Sequence, residues 1–280
     1  MGDLGIDTAV HGSDGRYSAT LSSDWDIWGP NGGYVAAVAL RAAGAHTSFA
    51  RPASFTCHFL GVANYESPVD LEVVTLRQTK RAESLRVSMT QEGKPILEAV
   101  AWVIGNVDGL EHDHARMPEV KRPSELRSIS ELLPPEERNN TYKFWFNFDE
   151  RPLEWLPDGE WQKRPPGDPV WRHWIKFHPT AKFDDPFADA SRLLVILDVS
   201  MWPAACRAYG FGEMGYIAPS LDLSAVFHRI EAATDWLLLD GFSPIAQDGI
   251  VGGDARVWSE SGELLCSGVQ SMLCRPAPAP

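Results

Sequence analysis

An aspartate, a serine and a glutamine stand at the edges of strongly apolar segments in the second half of the chain: Asp198 in ILDVSMWPAA, Ser220 in YIAPSLDLSAVFHR and Gln270 in LLCSGVQSML. Brought together, a carboxylate, a hydroxyl and a neutral amide can hold one water molecule, the carboxylate accepting its proton while the other two fix its orientation. Each residue also has a plainer use. Asp198 precedes SMWPAACRAY, in which Pro203 fits an early helical turn, so it reads equally as a helix N-cap that closes a strand-like run, LLVIL. Ser220 follows Pro219, a common setting for a turn hydroxyl, and no GxSxG surrounds it to make a nucleophile elbow. Gln270 is the most unusual. Period-2 alternation puts Leu264, Cys266, Gly268, Gln270 and Met272 on one face, so an amide interrupts an otherwise apolar side unless the strand lies at an edge facing water.

Other polar pairs fare less well. Asp222 and His228 in SLDLSAVFHR share a face of one strand and form a conceivable acid/base pair. Six residues of extended chain separate them by about 20 Å, at ~3.3 Å per residue, which excludes direct contact. Ser224 and Ser243 read as ordinary strand and turn hydroxyls.

The elements that must position these residues fall into two similar halves. In the first, the turn-forming WGPNGG leads into an Ala-rich stretch, Gly33 to Ala45, whose single charge is Arg41. Such a helix is buried, and its small side chains let a surrounding sheet approach closely. Four strand-like segments follow: ASFTCHFL, VDLEVVTLRQ, SLRVSMTQEG and ILEAVAWVIG. The second half has a strand candidate FWFNF, then VWRHWIKF, a helical stretch leading into Asp198, and four strands in SLDLSAVFHR, DWLLLDGF, GGDARVWSESG and ELLCSGVQSML. Setting RVSMTQEGKPILEAVAWVI beside DARVWSESGELLCSGVQSML aligns Gly93 with Gly262 and places Ala101 opposite Gln270. A helix followed by four strands, twice, predicts a duplicated α+β unit with units at 1–105 and 140–280. Residues 106–139, rich in charge and Pro, are the linker, with one short helix at SELRSISELL.

Composition narrows the function. At 280 residues with 44% hydrophobic residues and 11 Trp, the chain can bury a large core. A formal net charge of −13 argues against nucleic-acid binding and against adhesion to anionic membranes. The four cysteines, Cys57, Cys206, Cys266 and Cys274, form no CxxC and have no His at zinc spacing, so no metal site or dithiol centre is expected. The N-terminal MGDLGIDTAVHGSDGR lacks the basic start and apolar run of a secretory signal, and the run from Gly32 to Ala45 is too short to span a bilayer. A cytoplasmic protein without membrane insertion is the expectation.

The combination of WGPNGGYVAAVALRAA, RPASFTCHFL, APSLDLSAVFHR and LLCSGVQSML resembles the TesB-type acyl-CoA thioesterase family, or thioesterase II. The resemblance spans both halves. It implies a double hot-dog fold, α+β, with each unit a curved antiparallel sheet wrapped around a central helix. It implies hydrolysis of an acyl-CoA by activated water, with no metal or redox cofactor, in a homo-oligomer, dimer or tetramer. Carried over residue by residue, the family's catalytic Asp, at the start of the second unit's central helix, falls on Asp198, its hydroxyl on Ser220 and its last-strand Gln on Gln270. The separations of 22 and 50 residues match the family's pattern. The resemblance also implies that the helix start at Gly32 and Gly33 supplies backbone donors to the oxyanion across the pseudo-twofold interface. With Ala101 opposite Gln270, one site per chain is expected. The chain departs from the family at TCHFLGVA, where HSYFLRPG is more usual. Two other readings are a non-catalytic acyl-CoA-binding hot-dog protein and an enoyl-CoA hydratase, which needs an Asp/His pair close in space.

Overall fold

Helix formation in both halves follows from local signals that the sequence carries openly. In the computed structural model, which describes residues 1–134, 142–155, 163–210, 215–230 and 234–277, the Ala-rich stretch forms a helix over Gly32–His46. Asn31 caps its start by accepting from the Tyr34 N–H at 2.9 Å. The second long helix, Pro186–Asp198, begins at a capping Asp185 with Pro in its first turn, where a missing N–H costs nothing. With the short helices Leu4–Asp7 (α1), Ile129–Leu132 (α3) and Met201–Arg207 (α5), the two long ones are α2 and α4. Among the described residues no helix is long and apolar enough to cross a membrane.

Two sequence expectations change here. Asp198 does not open the second central helix; it is that helix's last residue, and the apolar run LLVIL before it is helix interior. A five-residue apolar run has no periodicity that separates buried helix from buried strand, and the nearly complete burial of Phe187 to Asp198 explains why no polar stripe marked the helix. FWFNF is likewise not a strand. Lys143–Asn147 is a 3₁₀ turn, and the strand starts one residue later, at Phe148–Pro152.

Most of the strands form one sheet. In chain order they are β1 (His11–Ser13), β2 (Arg16–Ala19), β3 (Arg51–Phe59), β4 (Val69–Gln78), β5 (Ala82–Gln91), β6 (Lys94–Ile104), β7 (Phe148–Pro152) and β8 (Val170–Phe177). Then come β9 (Tyr216–Ile217), β10 (Ser220–Phe227), β11 (Trp236–Gln247), β12 (Ile250–Ser259), β13 (Leu264–Leu273) and β14 (Arg275–Pro276). Twelve of them pair antiparallel in the order β1-β2-β4-β5-β6-β3-β10-β13-β12-β11-β8-β7, and β9 with β14 makes a separate two-stranded pair. The halves join through β3 and β10, where Thr56 stands opposite Ser224. On either side of this seam the order is mirrored: Phe55 pairs with Ala101 in one half, and Leu223 with Gln270 in the other. This is the double hot-dog arrangement, two curved antiparallel sheets wrapped around two central helices and continuous across their junction.

The central helices run antiparallel and touch at glycines. A Cβ on Gly33 would lie 2.6 Å from the Leu194 carbonyl and 2.8 Å from the Val195 Cα; one on Gly44 would lie 2.5 Å from the Phe187 ring. Absent side chains therefore set the helix spacing at both ends of the pair. A charged pair inside the core, Arg192 with Asp189 at 2.5 Å, ties α4 to the adjoining loops through the Ala181 and Thr234 carbonyls.

The linker does more than connect. Trp174, Leu238 and Trp258 form a buried cluster on the outer face of the second half, covered by Ala115, Met117, Val120 and Leu126. Trp174 donates its indole N–H to the Lys121 carbonyl at 2.8 Å, and Arg151 donates to the Pro123 and Leu126 carbonyls. Linker residues 135–139 and residue 140 lie outside the described residues.

Candidate active site

The antiparallel helix pair places the last residue of α4 against the first turn of α2, and β10 and β13 bring two more polar side chains to the same point. Asp198, Ser220 and Gln270, 72 residues apart at the extremes, meet here. Ser220 Oγ donates to Asp198 Oδ1 at 2.9 Å. Gln270 Nε2 donates to the same oxygen at 2.5 Å and to Ser220 Oγ at 2.9 Å. Gln270 is not at an edge. It faces inward on β13 between β10 and β12, buried with Cys266, Gly268 and Met272 on the apolar face that alternation indicates. Its Oε1 is buried and has no partner among the described residues.

Sequence reasoning overlooked Asn31. Its side-chain oxygen caps α2 while its Nδ2 donates to Asp198 Oδ2 at 2.9 Å, and the Gly33 N–H donates to the same carboxylate. In WGPNGG the residue looked like turn chemistry alone; the signal available was its position as N-cap of a helix expected to face the second half. The helix-start glycines stand where the sequence places them, against the site. A Cβ on Gly32 would lie 3.1 Å from both Asp198 oxygens, so only glycine leaves the carboxylate this close to the backbone.

Electrostatics at this point are unusual for a carboxylate. Burial raises the Asp198 carboxyl above its ordinary range, and hydrogen bonds from Ser220, Gly33, Gln270 and Asn31 pull in the opposite direction. No cation is paired with it among the described residues. The positive end of α2 supplies the compensating field instead. Cys57, on the inner face of β3 beside β10, is raised well above the ordinary thiol range by burial and by the Asp198 charge, so it remains a neutral wall of the site. A buried, unpaired carboxylate with a raised pKa is a stronger base than one at the surface, suited to removing a proton from water.

The rival residues stay apart from the cluster. Asp222 accepts from the Ser271 N–H at 2.9 Å, and His228, at the far end of the β10 segment, lies 2.9 Å from Ser267 Oγ. Ser243 donates to the Gly252 carbonyl and Ser224 stands in the middle of the seam between β3 and β13. No acid/base pair forms between Asp222 and His228.

Family models match nearly the whole chain. Residues 21–104 match the N-terminal domain of acyl-CoA thioesterases and residues 107–274 match their C-terminal domain. Among solved structures, the acyl-CoA thioesterase II TesB2 of Mycobacterium marinum is 20% identical with a TM-score of 0.78, covering 99% of both chains. The TesB protein of Mycobacterium avium subspecies paratuberculosis is 24% identical with a TM-score of 0.75, covering 98% of each. A hot-dog protein of unknown function from Alicyclobacillus acidocaldarius is 19% identical, with a TM-score of 0.79 over 99% of this chain and 98% of that one. At these identities the structural likeness establishes the hot-dog fold alone.

Proposed function

The chain belongs to the acyl-CoA thioesterase family, and on that premise we propose that it hydrolyses an acyl-CoA to the free acid and coenzyme A, using a water deprotonated by Asp198. The observation that carries this reading is the buried Asp198 carboxylate, held by four neutral donors and no cation, with an unpartnered acceptor, Gln270 Oε1, beside it. Water entering the cluster donates one hydrogen to Gln270 Oε1 and the other to Asp198, and the Ser220 hydroxyl rotates to yield its place on Oδ1. Asp198 removes a proton as the water oxygen bonds to the thioester carbonyl carbon. The tetrahedral oxyanion is met by the Gly32 N–H at the start of α2, while the Gly33 N–H holds Asp198 in line and the Tyr34 N–H is taken by the Asn31 cap. Collapse breaks the C–S bond, and the departing thiolate takes the proton that Asp198 received. Asn31 and Gly33 act as positioning groups, and one site serves each chain because Ala101 occupies the place of Gln270 in the first half.

The protein acts in this reading as a cytoplasmic, metal-independent enzyme of two units, 1–105 and 140–280. It assembles as a homo-oligomer through the open middle of the outer sheet face, where Val100, Trp102, Val226 and Val269 lie exposed on adjoining strands. The deciding experiment is chromatographic detection of free CoA from a panel of acyl-CoAs. Release by the wild-type protein and its loss in Asp198→Ala is expected. Binding without release would favour a non-catalytic acyl-CoA-binding protein, and water addition to enoyl-CoAs would favour a hydratase.

A further inference from the structure

Three polar side chains that hydrolysis leaves unused, Asp26, Tyr65 and Gln91, run in series towards the start of α2. The loop that delivers this helix to the site runs from Trp25 to Asn31 and is closed by the Asn31 N–H, which donates to the Trp25 carbonyl at 3.0 Å. Its base is fixed. Trp25 is fully buried, and the Asp26 carbonyl accepts from the Phe144 N–H at 3.2 Å. Its tip is not packed into the core: Trp28 is 58% exposed, its indole N–H donating to the Tyr142 hydroxyl at 2.6 Å, and Gly29 takes a φ of 123°, in the left-handed region. A carboxylate spans the loop instead. Asp26 Oδ1 accepts from the Gly29 N–H at 3.1 Å and from the Tyr65 hydroxyl at 2.8 Å.

Tyr65 comes from the loop between β3 and β4, which begins inside TCHFLGVA, the segment where the chain departs from the more usual HSYFLRPG. A buried glutamine holds that loop in turn. Gln91, the last residue of β5 and 3% exposed, accepts from the Asn64 N–H at 2.8 Å and donates to the Asn64 and Ser67 carbonyls at 3.0 and 2.6 Å. All three bonds go to backbone that flanks Tyr65, so the sheet of the first unit places the tyrosine. Burial, and after it the Asp26 carboxylate, push the Tyr65 hydroxyl above its ordinary range, so it stays a protonated donor at neutral pH.

Resting on the thioesterase reading, we propose that Tyr65 is a positioning residue for hydrolysis: through Asp26 it sets the loop that carries Asn31 Nδ2 to Asp198 and the Gly32 N–H to the oxyanion. The double duty of Asn31 makes this placement matter. Its Oδ1 caps α2 by accepting from the Tyr34 N–H, while its Nδ2 donates to Asp198 Oδ2 at 2.9 Å. The cap moves with its own helix, whereas the bond to Asp198 crosses to the second unit and is the one lost when the loop shifts. Tyr65 therefore acts at two removes from the reacting atoms, through a hydrogen-bonded series rather than by touching substrate.

The test compares Tyr65→Phe, Asp26→Ala and Asp26→Asn with the wild type, by chromatographic detection of free CoA from whichever acyl-CoA of the panel the wild type hydrolyses fastest. Tyr65→Phe keeps the ring and loses the hydroxyl. Its kcat should fall about tenfold, the factor that one hydrogen bond is worth, with KM within about twofold of the wild type. The acid limb of kcat should also move up, by roughly half a pH unit, because the Asn31 donor that holds the Asp198 carboxyl down is weakened. Cys57, the titratable neighbour on β3, is the same in all the variants. A tyrosine that serves stability alone would lower the melting temperature and leave this limb in place. Asp26→Ala should reproduce both changes, and combining it with Tyr65→Phe should add little, because the two act in series. Asp26→Asn keeps an acceptor oxygen for both donors and should recover most of what Asp26→Ala loses. Wild-type kcat and acid limb in Tyr65→Phe, losses that simply add to those of Asp26→Ala, or an Asp26→Asn as slow as Asp26→Ala would each overturn the positioning role while leaving the thioesterase reading intact. Failure of the wild type to hydrolyse any acyl-CoA would reject that reading, and the role of Tyr65 with it.

Discussion

The two ends of the central helix pair are built alike and finished differently. At one end the start of α4 meets the end of α2: Asp185 caps α4, pairs with Arg41, and Gly44 admits the Phe187 ring. At the other end the start of α2 meets the end of α4: Asn31 caps α2, Gly33 admits the α4 backbone, and Asp198 is received by neutral donors. An aspartate stands at each end. One is partly exposed and neutralised by a guanidinium, and the other is buried without a cation. A buried carboxylate without a cation retains its basicity at some cost in stability. In the proposed reading, withholding a cation is what separates a structural junction from a reactive one.

The largest difference should appear when each aspartate is removed. Asp198→Ala is expected to lower kcat by about 10²–10⁴, the range for acid–base groups, with KM much less affected. Asp185→Ala should leave turnover near the wild type while lowering stability by about 1 kcal/mol, as N-cap losses do. Ser220→Ala and Gln270→Ala should cost less than Asp198→Ala, and the double changes less than the sum, because all three act on one water. Asp222→Asn and His228→Gln serve as controls that alter melting temperature more than turnover. Wild-type kcat in a folded Asp198→Ala would end the comparison.

Glycines sharpen it next. At Gly33 an added methyl meets the Leu194 and Val195 backbone, and at Gly44 it meets the near end of the buried Phe187 side chain, Cγ at 2.5 Å and Cβ at 2.9 Å, so neither contact is relieved by a simple rotation. Gly33→Ala should therefore cost about 1–3 kcal/mol in unfolding free energy, the range for overpacking, and lower kcat by displacing Asp198. Gly44→Ala should cost a similar amount of stability and leave kcat in place. Equal losses of activity from both would mean that helix spacing as a whole, not the site end, governs turnover.

How much of this was legible in the sequence differs residue by residue. Gln270 was legible because an amide on an alternating apolar face is conspicuous, and the match of Gly93 to Gly262 reproduces the register in which Phe55–Ala101 mirrors Leu223–Gln270. Both glycines adopt positive φ, 75° and 95°, in equivalent hairpin turns. The place of Asp198 in its helix was not legible, since a helix buried on all sides presents no polar stripe. Asn31 was hidden for a different reason: an N-cap uses one end of the amide locally, and nothing local reveals that the other end reaches a residue 167 positions away. Nor did the charged, Pro-rich linker show that Met117, Val120 and Leu126 would cover tryptophans of the second half. Long-range pairing decides all three.

A cap comparison gives a smaller effect. Asn31→Ala and Asp185→Ala should lose similar stability, about 0.5–2 kcal/mol each by denaturant unfolding. Asn31→Ala alone should also lose turnover, roughly tenfold, because its Nδ2 positions Asp198 Oδ2. Asn31→Asp should keep the cap yet lose the donor, and place a second carboxylate beside the first. Restored stability without restored activity in that variant would separate the two roles of the residue.

The smallest effect is a slope with pH. Because burial raises the Asp198 carboxyl above its ordinary value of 3.8, the folded state holds this proton in a pH range where the unfolded chain has released it. Stability from this group is thus fully present below the ordinary value and is lost as pH rises through the folded one, by at most about 1.4 kcal/mol per pH unit for one proton. Asp198→Asn lacks the titration, so its melting temperature relative to the wild type should climb over that interval and then level off. Turnover should move in the opposite sense. The base works only when ionised, so kcat of the wild type should fall on acidification along a limb that lies above the usual carboxylate range. A difference that falls with pH, or an acid limb at the ordinary carboxylate value, would show that the Asp198 end is as well compensated as the other, and the contrast between the two junctions would be lost.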